Sequence, residues 1–150
     1  MIIDLKSLRN SGKEEESFYF DYVPENQLSD IPNVKVSSVK VNGKVYLEGF
    51  HSAYIEGEIN YFLSGDCTRC LEETTKEYVI GFAENADNED ETGYPVVNDK
   101  VDLTKIVEDA IMTNLPVSFL CKEDCKGLCT ECGANLNKDS EHKCKIKEGN

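Results

Sequence analysis

The sequence lacks three features that are typical of membrane proteins, secreted proteins and proteins with a broad phosphate-binding surface. It has no run of about 18 apolar residues, the length that a membrane-spanning helix needs. Its start, MIIDLKSLRN, has an acidic residue inside a short apolar run and no cleavage-like segment, unlike a signal peptide. It also lacks an excess of basic residues, since 29 acidic residues outnumber 16 basic ones. These absences predict a cytoplasmic protein without a broad phosphate-binding surface.

The excess of negative charge is confined to the first part of the chain. Residues 1–116 contain 23 acidic and 10 basic residues, whereas residues 117–150 contain six of each. The chain also lacks the interleaved aromatic and basic residues that are typical of proteins binding single-stranded nucleic acid. We therefore expect any contact with nucleic acid to be local, or to be made through a protein partner.

The apolar pattern of the first half predicts a sheet. Residues 18–22 place aromatic side chains at alternate positions, and a two-residue period runs through much of residues 34–63. Asn42-Gly43 predicts a tight hairpin turn within that stretch, because both residues tolerate a positive φ. Residues 78–82 predict one more strand. The short connections between these strands favour antiparallel pairing.

One main helix is predicted after the sheet. Residues 84–92 carry five acidic and no basic residues and indicate a solvated loop. Beyond it, Asp102 is a suitable N-cap, and an apolar stripe at helical spacing leads to a stop at Pro116. The stripe comprises Leu103, Ile106, Val107, Ala110, Ile111 and Leu115. We expect this stripe to pack across the apolar face of the sheet.

Together these patterns predict an α+β fold with a mostly antiparallel sheet, one main packed helix and a C-terminal Cys-rich zinc-binding loop. We place the α+β core domain in residues 1–116 and the metal-binding module in residues 117–150. The module is joined to the core by a short, largely apolar connector.

Five of the seven cysteines lie in the stretch CKEDCKGLCTECGANLNKDSEHKC, at spacings that suit a tetrahedral metal site. Two residues separate Cys129 from Cys132, so that one tight turn can aim both sulfurs at one ion, and Gly133 supplies the backbone freedom for that turn. Cys144 and His142 are substitute ligands. The predicted zinc ligands are Cys121, Cys125, Cys129 and Cys132.

The predicted zinc is structural rather than catalytic. Four soft ligands leave no open position, and the general base of a catalytic zinc site would have to be Glu123, Glu131 or His142. A structural ion can instead hold neighbouring polar side chains as a rigid recognition surface. The side chains in question are Lys122, Lys126, Asn135, Asn137 and Lys138.

A second Cys-x-x-Cys pair, Cys67 and Cys70, lies at a turn between predicted strands and leaves three hypotheses open. The pair could complete a metal site with Cys129 and Cys132, as in a zinc ribbon. It could be a redox pair in which Arg69 stabilises a thiolate. It could also be an ordinary half-buried turn.

The order of these motifs resembles the YceD family of large ribosomal RNA subunit accumulation proteins. The resemblance is carried by the Cys67 to Cys70 motif, the acidic loop, the helix with its Val-Glu-Asp stretch, and Cys121 to Asn137. It implies a cytoplasmic factor linked to accumulation of 23S ribosomal RNA, without established catalytic residues.

From the residues and this resemblance we predict a non-enzymatic factor in large ribosomal subunit biogenesis. Its partner would be ribosomal RNA or a ribosomal protein of the large subunit, and basic ribosomal proteins would complement its acidic charge. The alternative hypothesis is a thiol redox or metal-responsive regulatory protein that acts through Cys67 and Cys70.

Overall fold

The structure, a computed structural model, describes residues 1–138 and residue 142. In chain order the elements are β1 (Ile2–Asp4), α1 (Leu5–Asn10), β2 (Glu15–Tyr22), β3 (Val34–Leu47), β4 (Ala53–Asp66), β5 (Glu73–Ala86), β6 (Lys100–Asp102) and α2 (Leu103–Thr113). Strands β2, β3, β4 and β5 form a four-stranded sheet in that order, and β1 pairs with β6 in a small second sheet. All of these strand pairs are antiparallel. The predicted α+β class with a mostly antiparallel sheet is therefore confirmed.

The central strands have the two-residue period that one buried face requires. In β4, Ile55, Ile59 and Tyr61 are completely buried, while the residues between them are partly or fully exposed. Each apolar side chain on this face removes apolar surface from water, which fixes the register of the strand. Strand β5 extends to Ala86, so the first three residues of the predicted acidic loop belong to the sheet.

The predicted hairpin turn at Asn42-Gly43 is wrong. Strand β3 passes through both residues without interruption, and Gly43 pairs with Phe18 on one side and Gly57 on the other. The turn from β3 to β4 lies instead after Leu47, where Glu48 N donates to Ser52 O at 3.1 Å. Gly43 is needed because β3 and β4 approach closely there: a Cβ on Gly43 would lie 2.9 Å from Gly57 Cα.

Helix α2 confirms the predicted N-cap and most of the apolar stripe, although the helix ends at Thr113, two residues before Leu115. The side chain of Asp102 accepts a hydrogen bond from Lys105 N and caps the first turn. Ile106, Val107 and Ile111 are fully buried in the main core. At the N-terminus, the short strand β1 is followed directly by the short helix α1.

The segment after α2 returns the chain to the end of the sheet. Phe119 is fully buried and belongs to the main core. Thr68 N, in the turn between β4 and β5, donates to Phe119 O at 2.8 Å. This contact brings Cys121 beside that turn.

The division of the chain into two domains at residue 116 stays a prediction. Within the described residues, no helix is long and apolar enough to cross a membrane.

Candidate metal centre

Four cysteine sulfurs meet where the β4–β5 turn contacts the C-terminal segment. They belong to Cys67, Cys70, Cys121 and Cys125, and all four lie within 4.8 Å of one another. Cys67, Cys70 and Cys125 are buried, and Cys121 is partly buried. Leu120 and Leu128, themselves partly buried, pack against the group. We refer to these four residues as the buried thiol group.

The spacing of the buried thiol group fits one tetrahedral ion. The Sγ atoms of Cys67 and Cys125 are 3.6 Å apart, as are those of Cys70 and Cys121. A zinc ion with four thiolate bonds of about 2.3 Å would separate its sulfurs by roughly 3.8 Å. The described cysteines form no disulfide. The four residues can therefore hold a soft divalent metal with little rearrangement.

The four thiols strongly perturb one another's protonation. Burial raises the pKa of Cys67, but backbone N–H groups of Cys70, Cys121 and Arg69 that point at its sulfur outweigh burial and lower the pKa to about 6. Burial and the neighbouring sulfurs raise the pKa of Cys121 to about 12. Four thiolates at these distances repel one another, so they ionise together only with a cation between them.

Side chains and backbone around the group fix its geometry. Asn137 Nδ2 donates to the Sγ of Cys125 at 3.2 Å, and Arg69 Nη1 donates to Cys125 O at 3.0 Å. Gly127, with a φ of 75°, contributes a further backbone N–H to that sulfur. Such donors stabilise the net negative charge of a four-thiolate metal site and orient its ligands.

A second group of ligand-type side chains consists of Cys129, Cys132 and His142, which we call the outer group. Its two sulfurs and one ring nitrogen lie within 4.8 Å of one another, and His142 Nε2 is 3.3 Å from the Sγ of Cys132. Backbone N–H groups of Cys132 and Glu131 point at Cys129 and lower the pKa of its thiol to about 6. Cys132 is exposed, unlike the members of the buried thiol group.

The structure thus divides the predicted ligand set between two groups. Cys121 and Cys125 face Cys67 and Cys70, whereas Cys129 and Cys132 face His142. Which of these residues bind an ion stays a prediction, and Cys144, a substitute ligand in the sequence interpretation, lies outside the described residues. Of the three hypotheses for Cys67 and Cys70, the geometry is compatible with a metal site shared with a second cysteine pair. That hypothesis named Cys129 and Cys132 as the second pair, whereas the cysteines that face Cys67 and Cys70 are Cys121 and Cys125.

The sequence contained a signal for this pairing. Cys121 directly follows the apolar residues Phe119 and Leu120, which keep it close to the core, whereas the residues around Cys129 and Cys132 are mostly polar. A cysteine tied to the core is the natural partner for a cysteine pair at the end of a core strand. The spacing between cysteines alone does not contain this information.

Both asparagines that we expected on a recognition surface have structural contacts. Asn137 accepts a hydrogen bond from Lys126 N at 2.8 Å, in addition to its contact with Cys125, and Asn135 Nδ2 donates to Glu72 at 3.3 Å. Lys138 forms an ion pair with the same Glu72 at 2.9 Å. These contacts attach the C-terminal segment to the β4–β5 turn.

Comparison with known proteins connects this arrangement to a family. An uncharacterised protein of Mycobacterium tuberculosis is 33% identical in an alignment of 89 residues that covers 53% of this chain and 42% of the relative. The large ribosomal RNA subunit accumulation protein YCED homolog 1, chloroplastic, of Zea mays is 36% identical over 62 residues, 41% of this chain and 21% of the relative. The uncharacterised protein YlbN of Bacillus subtilis is 28% identical over 124 residues, 73% of this chain and 69% of the relative.

The chain thus spans less than half the length of the mycobacterial and maize relatives that it matches. No solved structure matches it. The family model described as large ribosomal RNA subunit accumulation protein YceD matches residues 55–150, which include most of β4, all of β5 and α2, and both cysteine groups. This match covers more than half of the chain. The protein therefore belongs to the YceD family.

Proposed function

We propose that this protein is a non-enzymatic factor in large ribosomal subunit biogenesis that supports accumulation of 23S ribosomal RNA. A structural zinc ion holds the surface by which it recognises its partner. The observation that carries the zinc part is the buried thiol group, whose four sulfurs come from two distant segments and lie within 4.8 Å of one another. The family membership, and the name of its plant relatives, support the ribosomal part.

The ion would link the sheet to the segment that follows α2. Cys67 and Cys70 lie at the end of the β4–β5 hairpin, and Cys121 and Cys125 lie in the segment attached to it through Phe119. Four thiolates around zinc form a closed coordination sphere, which is typical of a structural site. With the ion bound, exposed Lys122 and Lys126 would be held in fixed positions beside ligands.

Charge favours a basic protein as the partner. The formal net charge is -13, and exposed Glu58, Glu73 and Glu77 lie on the face of the sheet opposite the buried side chains. An extended acidic surface repels a phosphate backbone and attracts lysine-rich and arginine-rich surfaces, such as those of ribosomal proteins. A local contact with RNA would be made by the nearly neutral C-terminal segment.

The experiment is deletion of the gene in its native host, followed by measurement of the ratio of 23S to 16S ribosomal RNA. We expect the ratio to fall and to be restored by the wild-type protein. A Lys122→Glu/Lys126→Glu variant should restore it poorly, because the substitutions replace two cations of the C-terminal segment, which would contact RNA locally, with carboxylates that repel phosphate. The matched control is Lys6→Glu/Lys13→Glu, which makes the same charge change at exposed positions near the N-terminus.

An unchanged ratio on deletion would contradict the ribosomal role. Full restoration by the Lys122→Glu/Lys126→Glu variant would contradict recognition through the metal-bearing segment, and would leave that segment with a purely structural role. Thermal unfolding of both purified variants should match the wild type, since all four lysines are exposed.

A thiol redox role for Cys67 and Cys70 is the second candidate function. The lowered pKa of Cys67 favours it, because the thiolate is the reactive form. Burial opposes it, since Cys67 is 0% and Cys70 only 4% exposed, and a redox partner has to reach the sulfur. Rapid alkylation of Cys67 by iodoacetamide in the native, metal-loaded protein would support the redox role over the structural one.

A further inference from the structure

The outer group has a local structure built to present two sulfurs on one side. Leu128 and Asn135 pair as an antiparallel bridge, and Cys129 N donates to Ala134 O at 2.7 Å, which closes a short hairpin. Gly133 has a φ of 76°, and its backbone N donates a hydrogen bond to Cys129 O at 2.9 Å. Only a residue that tolerates positive φ forms this tight turn at low cost. The hairpin therefore places both sulfurs together without help from the buried thiol group.

A third donor of the right chemistry approaches the two sulfurs. His142 lies 10 residues after Cys132 in the sequence, and its Nε2 lies 3.3 Å from the Sγ of Cys132. The backbone N–H groups of Glu131 and Cys132 face the Sγ of Cys129, the arrangement that stabilises a metal-bound thiolate. Two thiolates and one imidazole are ligands that zinc and similar soft divalent ions prefer.

We propose that Cys129, Cys132 and His142 bind a second, exchangeable zinc ion, separate from the ion of the buried thiol group. Three protein donors leave the fourth tetrahedral position to water or to another donor. Because Cys132 is exposed and the other two residues are only partly buried, chelators and competing metals reach this ion directly. The four-thiolate ion is enclosed by buried cysteines and exchanges more slowly.

The two sites also differ in charge. Zinc with two thiolates and a neutral imidazole has no net charge, whereas zinc with four thiolates has a net charge of about minus two. The outer site therefore gains less electrostatic attraction, and it closes only the short loop of one hairpin together with His142. Both effects predict weaker binding than at the buried thiol group.

The test is zinc stoichiometry and release from the full chain, purified reduced and loaded with zinc. We expect about two zinc ions per chain, and two phases of release to the chromophoric chelator 4-(2-pyridylazo)resorcinol, at least about tenfold apart in rate. Cys129→Ser/His142→Gln should remove one ion and the fast phase only. The matched control is His51→Gln, because His51 is an exposed histidine whose contact is Asp99 rather than a thiol.

Loading with cobalt gives a second readout that a folding defect would not imitate. The four-thiolate site gives intense tetrahedral d–d bands and strong sulfur-to-cobalt charge transfer, and both should remain in Cys129→Ser/His142→Gln while the total charge-transfer intensity falls. One zinc ion per wild-type chain that survives in this variant would overturn the proposal. One ion that is lost in both Cys129→Ser/His142→Gln and Cys67→Ser/Cys70→Ser would also overturn it, because a single site would then span both groups.

Discussion

Gly43 and Gly57 are opposed in the middle of β3 and β4, and the rings of Phe18 and Phe82 cover them from the two flanking strands. A Cβ on Gly57 would lie 2.9 Å from Gly43 Cα and 3.0 Å from the ring of Phe82. Because one of these neighbours is backbone, it cannot move aside as the end of a flexible side chain would. The two glycines are thus required by packing, whereas local turn chemistry does not require them.

We predict that Gly57→Ala lowers the free energy of unfolding by about 1–3 kcal/mol, the usual cost of overpacking a close contact. The matched control is Gly81→Ala on the neighbouring strand, where the nearest atom to a new Cβ is Gly57 O at 3.8 Å. That change should stay within about 0.5 kcal/mol of the wild type. Urea denaturation measures both. Equal midpoints for the two variants would show that the contact at Gly57 relaxes freely.

The same residue shows why the sequence misled the hairpin prediction. Asn-Gly is a strong local signal for a two-residue turn, and the alternating valines on either side of it agree with a hairpin. In the structure, Gly43 is instead required because the facing residue on β4 is also a glycine. This requirement arises only when β3 and β4 pair over residues 34–66. Register is a property of two segments, and it is not contained in either one alone.

At the scale of elements, α2 was the part of the fold that the sequence predicted best. Its N-cap, its apolar stripe and its end before Pro116 all depend on residues within one segment. The strands were also recognisable from their two-residue period. Their ends were not, since β3 and β5 each continue past a position that local signals assigned to a turn or a loop.

The buried stripe of α2 gives a prediction at this scale. Ile106→Ala should lower the free energy of unfolding by about 2–5 kcal/mol, because Ile106 is fully buried and its truncation leaves a cavity. Met112→Ala, at a position 57% exposed on the same helix, is the control and should change stability by less than about 1 kcal/mol. Guanidinium denaturation followed by far-UV circular dichroism distinguishes them. A similar loss in both variants would mean that the stripe does not anchor the helix.

At the scale of the whole molecule, the sequence predicted which cysteines lie together in one turn, but not which of these pairs face each other. Spacing shows which cysteines can share one turn, and it correctly joined Cys129 with Cys132 and Cys67 with Cys70 as pairs. The pair Cys67 and Cys70 faces Cys121 and Cys125 because Thr68 N donates a hydrogen bond to Phe119 O. This bond joins two segments that are more than fifty residues apart in the chain. The apolar residues directly before Cys121 indicate that it lies near the core, but cysteine spacing alone does not encode this contact.

This arrangement predicts a specific effect of metal removal. In reduced, metal-free protein, amide hydrogen exchange should accelerate in residues 119–128 while the centre of β4 keeps its protection, because only the former depends on the ligand contacts. The free energy of unfolding should be lower than that of the zinc-loaded protein. The difference depends on the free zinc concentration and is about 4 kcal/mol when zinc is at a thousandfold excess over its dissociation constant. Adding zinc should reverse both changes, whereas magnesium, which prefers oxygen ligands, should reverse neither. Unchanged exchange at residues 119–128 would contradict a structural ion.

The separation of the two ligand pairs along the chain also sets the timing of assembly. Cys121 is synthesised 51 residues after Cys70, an interval of roughly 3–10 seconds at ordinary translation rates. By then all four strands of the larger sheet, which end at Ala86, have been made. An ion held by all four sulfurs is therefore added to a sheet whose strands are already complete, and a nascent chain has to keep Cys67 and Cys70 reduced until their partners appear.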